Sequence, residues 1–132
     1  MEVTRRKHLI LLLAREFASQ LSTPVFIADE LGNLVFYNEP AEEALGRTFT
    51  EAGEINASEW QQIFTVESLD GTPLPLEENP GGIALLERKP AHKELRYTGL
   101  DDVKRTVEVT AVPLLAHEQE LFGVVIFFWE QV

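Results

Sequence analysis

The sequence predicts an α+β domain, an antiparallel five-stranded sheet with short helices grouped on one face. Three observations predict it. Pro24–Asp29 and Leu34–Asn38 flank Glu30-Leu31-Gly32-Asn33, and Gly32-Asn33 tolerates the positive φ of a tight reversal, so this segment is a β-hairpin. Three more strand patterns, about 92–99, 104–113 and 121–130, follow late in the chain. Between the two groups lie several short helical patterns and turn signals.

The elements follow in order. Ile10, Leu13, Ala14, Phe17 and Leu21 fall at i, i+3, i+4, i+7 and i+11, which predicts a helix over 3–21. Leu9 and Leu12 lie beside that stripe, and Leu11 and Ala18 form another, so the middle of this helix is apolar nearly all round. A second apolar face wants a second partner. Either the helix is sunk in a groove of its own domain, or it covers its own sheet and also meets a neighbouring chain.

After the hairpin, Asn38 offers a capping acceptor and Pro40 stands in the first turn of a helix over 39–45 that Gly46 ends. Glu39, Glu42 and Glu43 suit its macrodipole. Glu59–Thr65 reads as a helix bearing Trp60, Ile63 and Phe64 on one face. Asp70-Gly71 with Pro73 and Pro75 is a turn leading into an extended segment. Asn79 or Pro80 opens a short helix through Arg88, with Ile83, Leu86 and Leu85 as its inward candidates. Turns at Gly99–Asp102 and Ala116–Glu120 join the last three strands. Leu121–Trp129 barely alternates apolar with polar, so both faces of this strand must be covered.

Composition narrows the function. The chain has 132 residues, enough for one domain with a core of its own. It has no cysteine, which excludes a disulfide framework, a thiolate metal site and a cysteine nucleophile, and which suits a reducing cytoplasm. Eleven basic side chains against 22 acidic ones give a net charge of −11, which argues against direct binding of nucleic acid. Residues 29–87 carry thirteen acidic groups and only Arg47 as a base, whereas residues 1–28 and 88–105 are mildly basic. The acid therefore belongs to the hairpin and the helical half. The sheet side and the first helix are left as the better place to meet a partner. The apolar run Leu9–Ala14 is too short for a signal h-region or a membrane span, so neither a leader nor a membrane is expected, and the location expected is the cytoplasm.

The piece Pro24-Val25-Phe26-Ile27-Ala28-Asp29-Glu30-Leu31-Gly32-Asn33-Leu34-Val35-Phe36-Tyr37-Asn38-Glu39-Pro40-Ala41-Glu42-Glu43-Ala44-Leu45-Gly46 resembles the opening of a PAS domain. The likeness rests on its first hairpin, its Asp-x-x-Gly turn, the Asn before its first core helix and its Leu-Gly exit. Asp70-Gly71-Thr72-Pro73-Leu74-Pro75 followed by Asn79-Pro80 is similar to the approach to that family's long F helix. Thr110-Ala111-Val112-Pro113-Leu114 and Gly123-Val124-Val125 resemble its last two strands. The likeness covers about residues 20–130. It implies a sheet of order 2-1-5-4-3 and an N-terminal cap helix, hence a division into a cap or dimerisation helix over 1–22 and a single PAS domain over 23–132. It also implies a role in sensing or protein–protein contact. The chain closes on Trp129-Glu130-Gln131-Val132 without the family's usual Asp-Ile-Thr-like exit, so no output domain of its own is expected.

The chemistry expected is modest. Haem-binding relatives use a histidine on the F helix, and Gly81–Arg88 contains none; flavin photosensors of this fold need a reactive cysteine, which is absent. No cofactor is therefore predicted, although a non-covalent small ligand remains open. His8, His92 and His117 are too scattered for metal spacing. No G-x-S-x-G, G-x-x-x-x-G-K or H-E-x-x-H is present, and no enzyme activity is expected. A pocket, if present, lies between sheet and middle helices. Its expected lining is Phe26, Ala28, Tyr37, Leu45, Trp60, Phe64, Ile83, Leu95, Tyr97, Val107, Val109, Val125 and Phe127. The alternative is that these side chains fill the space.

Two functions follow, and a third competes. The first is a signalling module that acts as a homodimer or on a signalling protein partner, with Leu9, Leu12, Leu13, Phe17 and Phe128 at the dimer interface. The second is a sensor of a small apolar or flat molecule. The third is a small cone-shaped acid–base enzyme using Tyr97 or Tyr37 and a buried carboxylate, for which the strand candidates Glu94 and Glu108 alternate with apolar neighbours and so face outward.

Overall fold

The computed structural model describes residues 2–46, 48, 49, 53–63, 65–100, 102–116 and 120–130, and side chains from residue 9 onward. Helix α1 (Glu2–Ala18) leads into the hairpin β1 (Val25–Asp29) and β2 (Leu34–Tyr37). Helices α2 (Glu39–Leu45) and α3 (Ala57–Ile63) follow, then β3 (Thr65–Glu67), a 3-10 turn (Leu76–Glu78) and α4 (Pro80–Glu87). The strands β4 (Ala91–Thr98), β5 (Lys104–Leu115) and β6 (Leu121–Glu130) complete the sheet, whose order is β2-β1-β6-β5-β4-β3.

The sequence predicts five strands, and the described residues form six. The additional strand is β3, three residues on the edge beside β4, paired Thr65↔Thr98, Val66↔Tyr97 and Glu67↔Arg96. Helix α3 ends at Ile63 instead of running on to Thr65. Three residues are too few to show an alternation, and it is the open edge of β4 that organises them. The strand returns through Asp70-Gly71, where Gly71 has φ 89°. The Asp70 carboxylate accepts the Thr72 N–H at 2.9 Å, and this backbone hydrogen bond, with a lesser one from the Thr72 side chain, holds its pKa below the ordinary value.

Sheet pairing assigns the faces. On the inner face Phe26 lies opposite Ile126 and Ala28 opposite Val124; on the outer face Val25 meets Phe127 and Ile27 meets Val125. Between β1 and β2 the register shifts after Ile27, so that Phe26↔Tyr37 and Ala28↔Leu34 share the inner face, with Val35 as the extra residue. Pro113 sits beyond Ala111, the last β5 residue that β4 reaches on that side, where a strand tolerates a missing N–H.

The inner face carries the main core, and the outer face of β1, β2 and β6 carries a second one beneath α1. In that second core Leu11, Ala14 and Ala18 of the helix meet Val25, Ile27, Phe36, Val125 and Phe127. The Arg15 guanidinium lies over the rings of Phe36 and Phe49, at 5.0 and 5.3 Å from their centroids. Gly123 lets the helix come close, since a Cβ there would stand 2.5 Å from the Ala28 carbonyl oxygen and 3.0 Å from Leu11 Cδ2.

Asn38 joins the parts. Its Oδ1 accepts from the N–H groups of Val25 (2.9 Å) and Ala41 (3.1 Å), capping α2 and holding the start of β1. Its Nδ2 donates to the carbonyls of Ala18 (3.0 Å) and Thr23 (2.8 Å), tying in the end of α1 and the link that follows it. A side chain so fully bonded tolerates burial, and among the described residues Asn38 is the one polar residue that is buried.

Candidate functional site

A cavity of about 490 Å³ lies between the inner sheet face and the segment from α3 to α4. Its sheet wall is Phe26, Ala28, Leu95, Tyr97, Val107, Val109, Val124, Ile126 and Phe128. Trp60, Gln61 and Gln62 of α3 contribute one side, and Leu76, Asn79, Gly81, Gly82 and Leu85 another. The aromatic rings form a row along this wall. Trp60 stacks on Phe26 at 6.2 Å, Phe26 on Phe128 at 5.6 Å, and Tyr97 meets Phe128 edge-on at 5.5 Å.

Two devices hold the α3 side in place, and both come from the hairpin turn. The Asp29 carboxylate accepts the N–H groups of Leu31 and Asn33 at 3.0 and 2.9 Å, which fixes the turn. Asn33 Oδ1 then accepts the Ala57 N–H at 2.9 Å, and Trp60 Nε1 donates to the Gly32 carbonyl at 2.9 Å. The turn residues thus have a definite task, which is to hang α3 on the hairpin.

On the α4 side, Asn79 caps the helix, its Oδ1 accepting the Gly81 N–H at 3.0 Å. The helix approaches the 3-10 turn at Gly82, where a Cβ would fall 1.7 Å from the Leu76 carbonyl oxygen. This contact buries Gly82 against the turn, while Ala84, on the opposite side of the helix, is buried in the main core. Leu86, an inward candidate from its spacing, is exposed instead, and Ile83 is half-buried and outside the lining.

The other expected lining residues divide. Phe26, Ala28, Trp60, Leu95, Tyr97, Val107 and Val109 line the cavity. Tyr37 and Leu45 are fully buried in the same core but do not line it, and the Tyr37 hydroxyl donates to the Thr48 carbonyl at 3.1 Å. Phe64 lies outside the described residues. Val125 and Phe127 require correction: they face outward under α1, and Val124, Ile126 and Phe128 take the inner positions. Phe128, expected at a dimer interface, is likewise inside. The missing signal was available only through pairing. A strand without alternation carries no parity of its own, and β1 imposes it.

The helix residues expected at an interface are on the surface. Leu9, Leu12, Leu13 and Phe17 are 56%, 53%, 60% and 68% exposed. They occupy the flanks that α1 does not turn to the sheet, and so the helix both covers its own sheet and keeps an open apolar side.

Glu94 and Glu108 oppose each other on the outer face, away from the cavity. There Glu108 accepts the Trp129 indole N–H at 2.7 Å and lies 3.7 Å from His92 Nε2, while His92 Nδ1 stands 2.6 Å from Thr110 Oγ1. None of the described residues lining the cavity is charged. No described helix is long and apolar enough to cross a membrane.

No family model and no curated protein matches the sequence. Solved structures do match its architecture. The PAS domain of Bordetella pertussis BvgS superposes with a TM-score of 0.64 at 17% identity, over 92% of this chain and 85% of that one. The PAS domain of nitrogen regulation protein NR(II) from Vibrio parahaemolyticus gives 0.57 at 16% identity, over 90% and 98%. The PAS domain from the fruit-fly ELK potassium channel gives 0.66 at 9% identity, over 92% and 95%. Identities this low speak for architecture, and the architecture of this chain is the PAS fold.

Proposed function

We propose that the protein is a sensory signalling module that works by self-association, with α1 of one copy packing against α1 of a second. The observation that carries this reading is the open side of α1, where Leu9, Leu13 and Phe17 recur every four residues with Leu12 beside them, each more than half exposed. An apolar stripe of this kind on an otherwise charged chain is a protein-contact surface. Charge disfavours self-contact through the acidic segment far more than through this side. The segment 29–87 is strongly acidic and repels its like, whereas α1 is mildly basic. Solved relatives in architecture include PAS domains of a nitrogen regulation protein and of a two-component sensor histidine kinase, which supports a signalling role.

Light scattering at micromolar concentration tests it. The expected mass is twice 14.9 kDa, and the triple variant Leu9→Gln, Leu13→Gln, Phe17→Gln falls to the single-chain mass with its unfolding midpoint nearly unchanged. A wild-type protein that stays monomeric and is indifferent to these substitutions overturns the reading.

The cavity favours a second reading, in which the module senses a small uncharged apolar molecule. The size of the cavity and its uncharged lining carry it. Native mass spectrometry and an absorption spectrum of the purified protein test it, and a colourless, ligand-free preparation counts against it.

A further inference from the structure

We propose that the cavity is built for a planar, uncharged aromatic molecule bearing a carbonyl acceptor, which Asn79 recognises through its amide N–H. This rests on the second reading above and names the ligand class. Three features select it. Trp60, Phe26, Phe128 and Tyr97 put four aromatic rings side by side in the lining, surroundings that suit an aromatic body, which can join them edge-on or stacked.

The second feature is charge. The described lining holds no cation, so a carboxylate or phosphate entering this space would lose its water without gaining a counter-charge. The third is the donor. Asn79 lines the cavity, and its Oδ1 is committed to the Gly81 N–H, which fixes which end of the amide is oxygen. Its Nδ2 makes no hydrogen bond among the described residues. An amide nitrogen with donors to spare beside an apolar wall fits a neutral carbonyl oxygen.

Room for the ligand depends on Gly81. Gly81 and Ile126 both line the cavity and touch, since a Cβ at Gly81 would stand 3.0 Å from Ile126 Cδ1, so a leucine there must push Ile126 aside or itself enter the cavity.

A matched trio of probes tests the proposal by calorimetry on the full chain: 2-acetonaphthone, 2-ethylnaphthalene and 2-naphthoate. The ketone is expected to bind about tenfold more tightly than its ethyl counterpart, the yield of one good hydrogen bond. The carboxylate is expected to bind at least about a hundredfold more weakly than the ketone. Asn79→Asp keeps the capping acceptor and removes the donor, and should erase the ketone's advantage while still admitting 2-ethylnaphthalene. Asn79→Gly, a tolerated cap without any side chain, should do the same if the aspartate variant folds poorly. Gly81→Leu should abolish binding of all three.

Binding of 2-ethylnaphthalene with no preference for the ketone, or a preference that survives both Asn79 variants, overturns this inference and leaves the cavity reading standing. Failure of every probe to bind, or binding that survives Gly81→Leu, overturns both.

Discussion

Replacing Asn38 by Ala lowers stability by about 3–5 kcal/mol, one of the two largest effects expected from any single substitution here. The side chain is buried, and its loss strands the N–H groups of Val25 and Ala41 and the carbonyl of Thr23, while the Ala18 carbonyl keeps only the Leu21 N–H. Each stranded buried group costs roughly 1–3 kcal/mol, and partial access of water to the start of β1 and the end of α1 keeps the total below the sum. Asn38→Asp retains the acceptor but turns a second carboxylate oxygen on the Ala18 and Thr23 carbonyls in a buried site, so it should lose no less than the alanine variant. Urea titrations of the three proteins give the ordering. A loss below about 1 kcal/mol for the alanine variant would show that Asn38 does not join the three segments.

Gly82→Ala is the second, and here two principles disagree in sign. Helix propensity favours alanine over glycine in α4 by about 1 kcal/mol. Sterics oppose it, because the new Cβ would fall 1.7 Å from the Leu76 carbonyl oxygen and 2.6 Å from the carbonyl carbon. Both atoms are backbone, so relief requires moving the 3-10 turn or the helix, and overpacking of this kind costs about 1–3 kcal/mol or more. The steric effect wins, and the expected outcome is a net loss of about 2–3 kcal/mol. The adjacent Gly81→Ala is the internal control. Its Cβ meets the end of the Ile126 side chain at 3.0 Å and Asn79 Oδ1 at an ordinary 3.6 Å, and a side-chain end yields more cheaply than backbone, so stability there should stay within about 0.5 kcal/mol of the parent. If thermal melts show the two alanine variants equally stable, the close approach at Gly82 is not what sets the face of α4.

These two glycines also show what the sequence makes legible. The hairpin, the Asn38 cap and the Gly46 stop are local features, each written within a few residues, and the fold follows from their order. Gly46 has φ 84° and ends α2 as a C-terminal glycine should. The inward face of α4 is not local. It is set by the approach of Leu76 to Gly82, between elements whose distance no periodicity reports.

The lining of the cavity divides along the same line. Phe26 and Ala28 sit on a strand whose turn fixes their parity, and the spacing places them. Val125, Phe127 and Phe128 belong to a strand apolar on both faces, where a shift of one residue exchanges inside and outside at no cost visible in the sequence. Gln61, Gln62 and Asn79 are ordinary polar residues until the fold brings them to one cavity; only Asn79 had a structural signal, as a helix cap.

The fastening of α3 to the hairpin turn has a dynamic corollary. Ile63 is the helix's one buried residue and Trp60 is only half-buried, so α3 holds its place by two hydrogen bonds to Asn33 and Gly32 more than by packed surface. A short element held in this way opens locally well before the whole domain unfolds. Backbone amides of α3 should therefore exchange with deuterated water orders of magnitude faster than those of β5 and β6. In kinetic terms, the side of the cavity behaves as a breathing wall on a rigid frame.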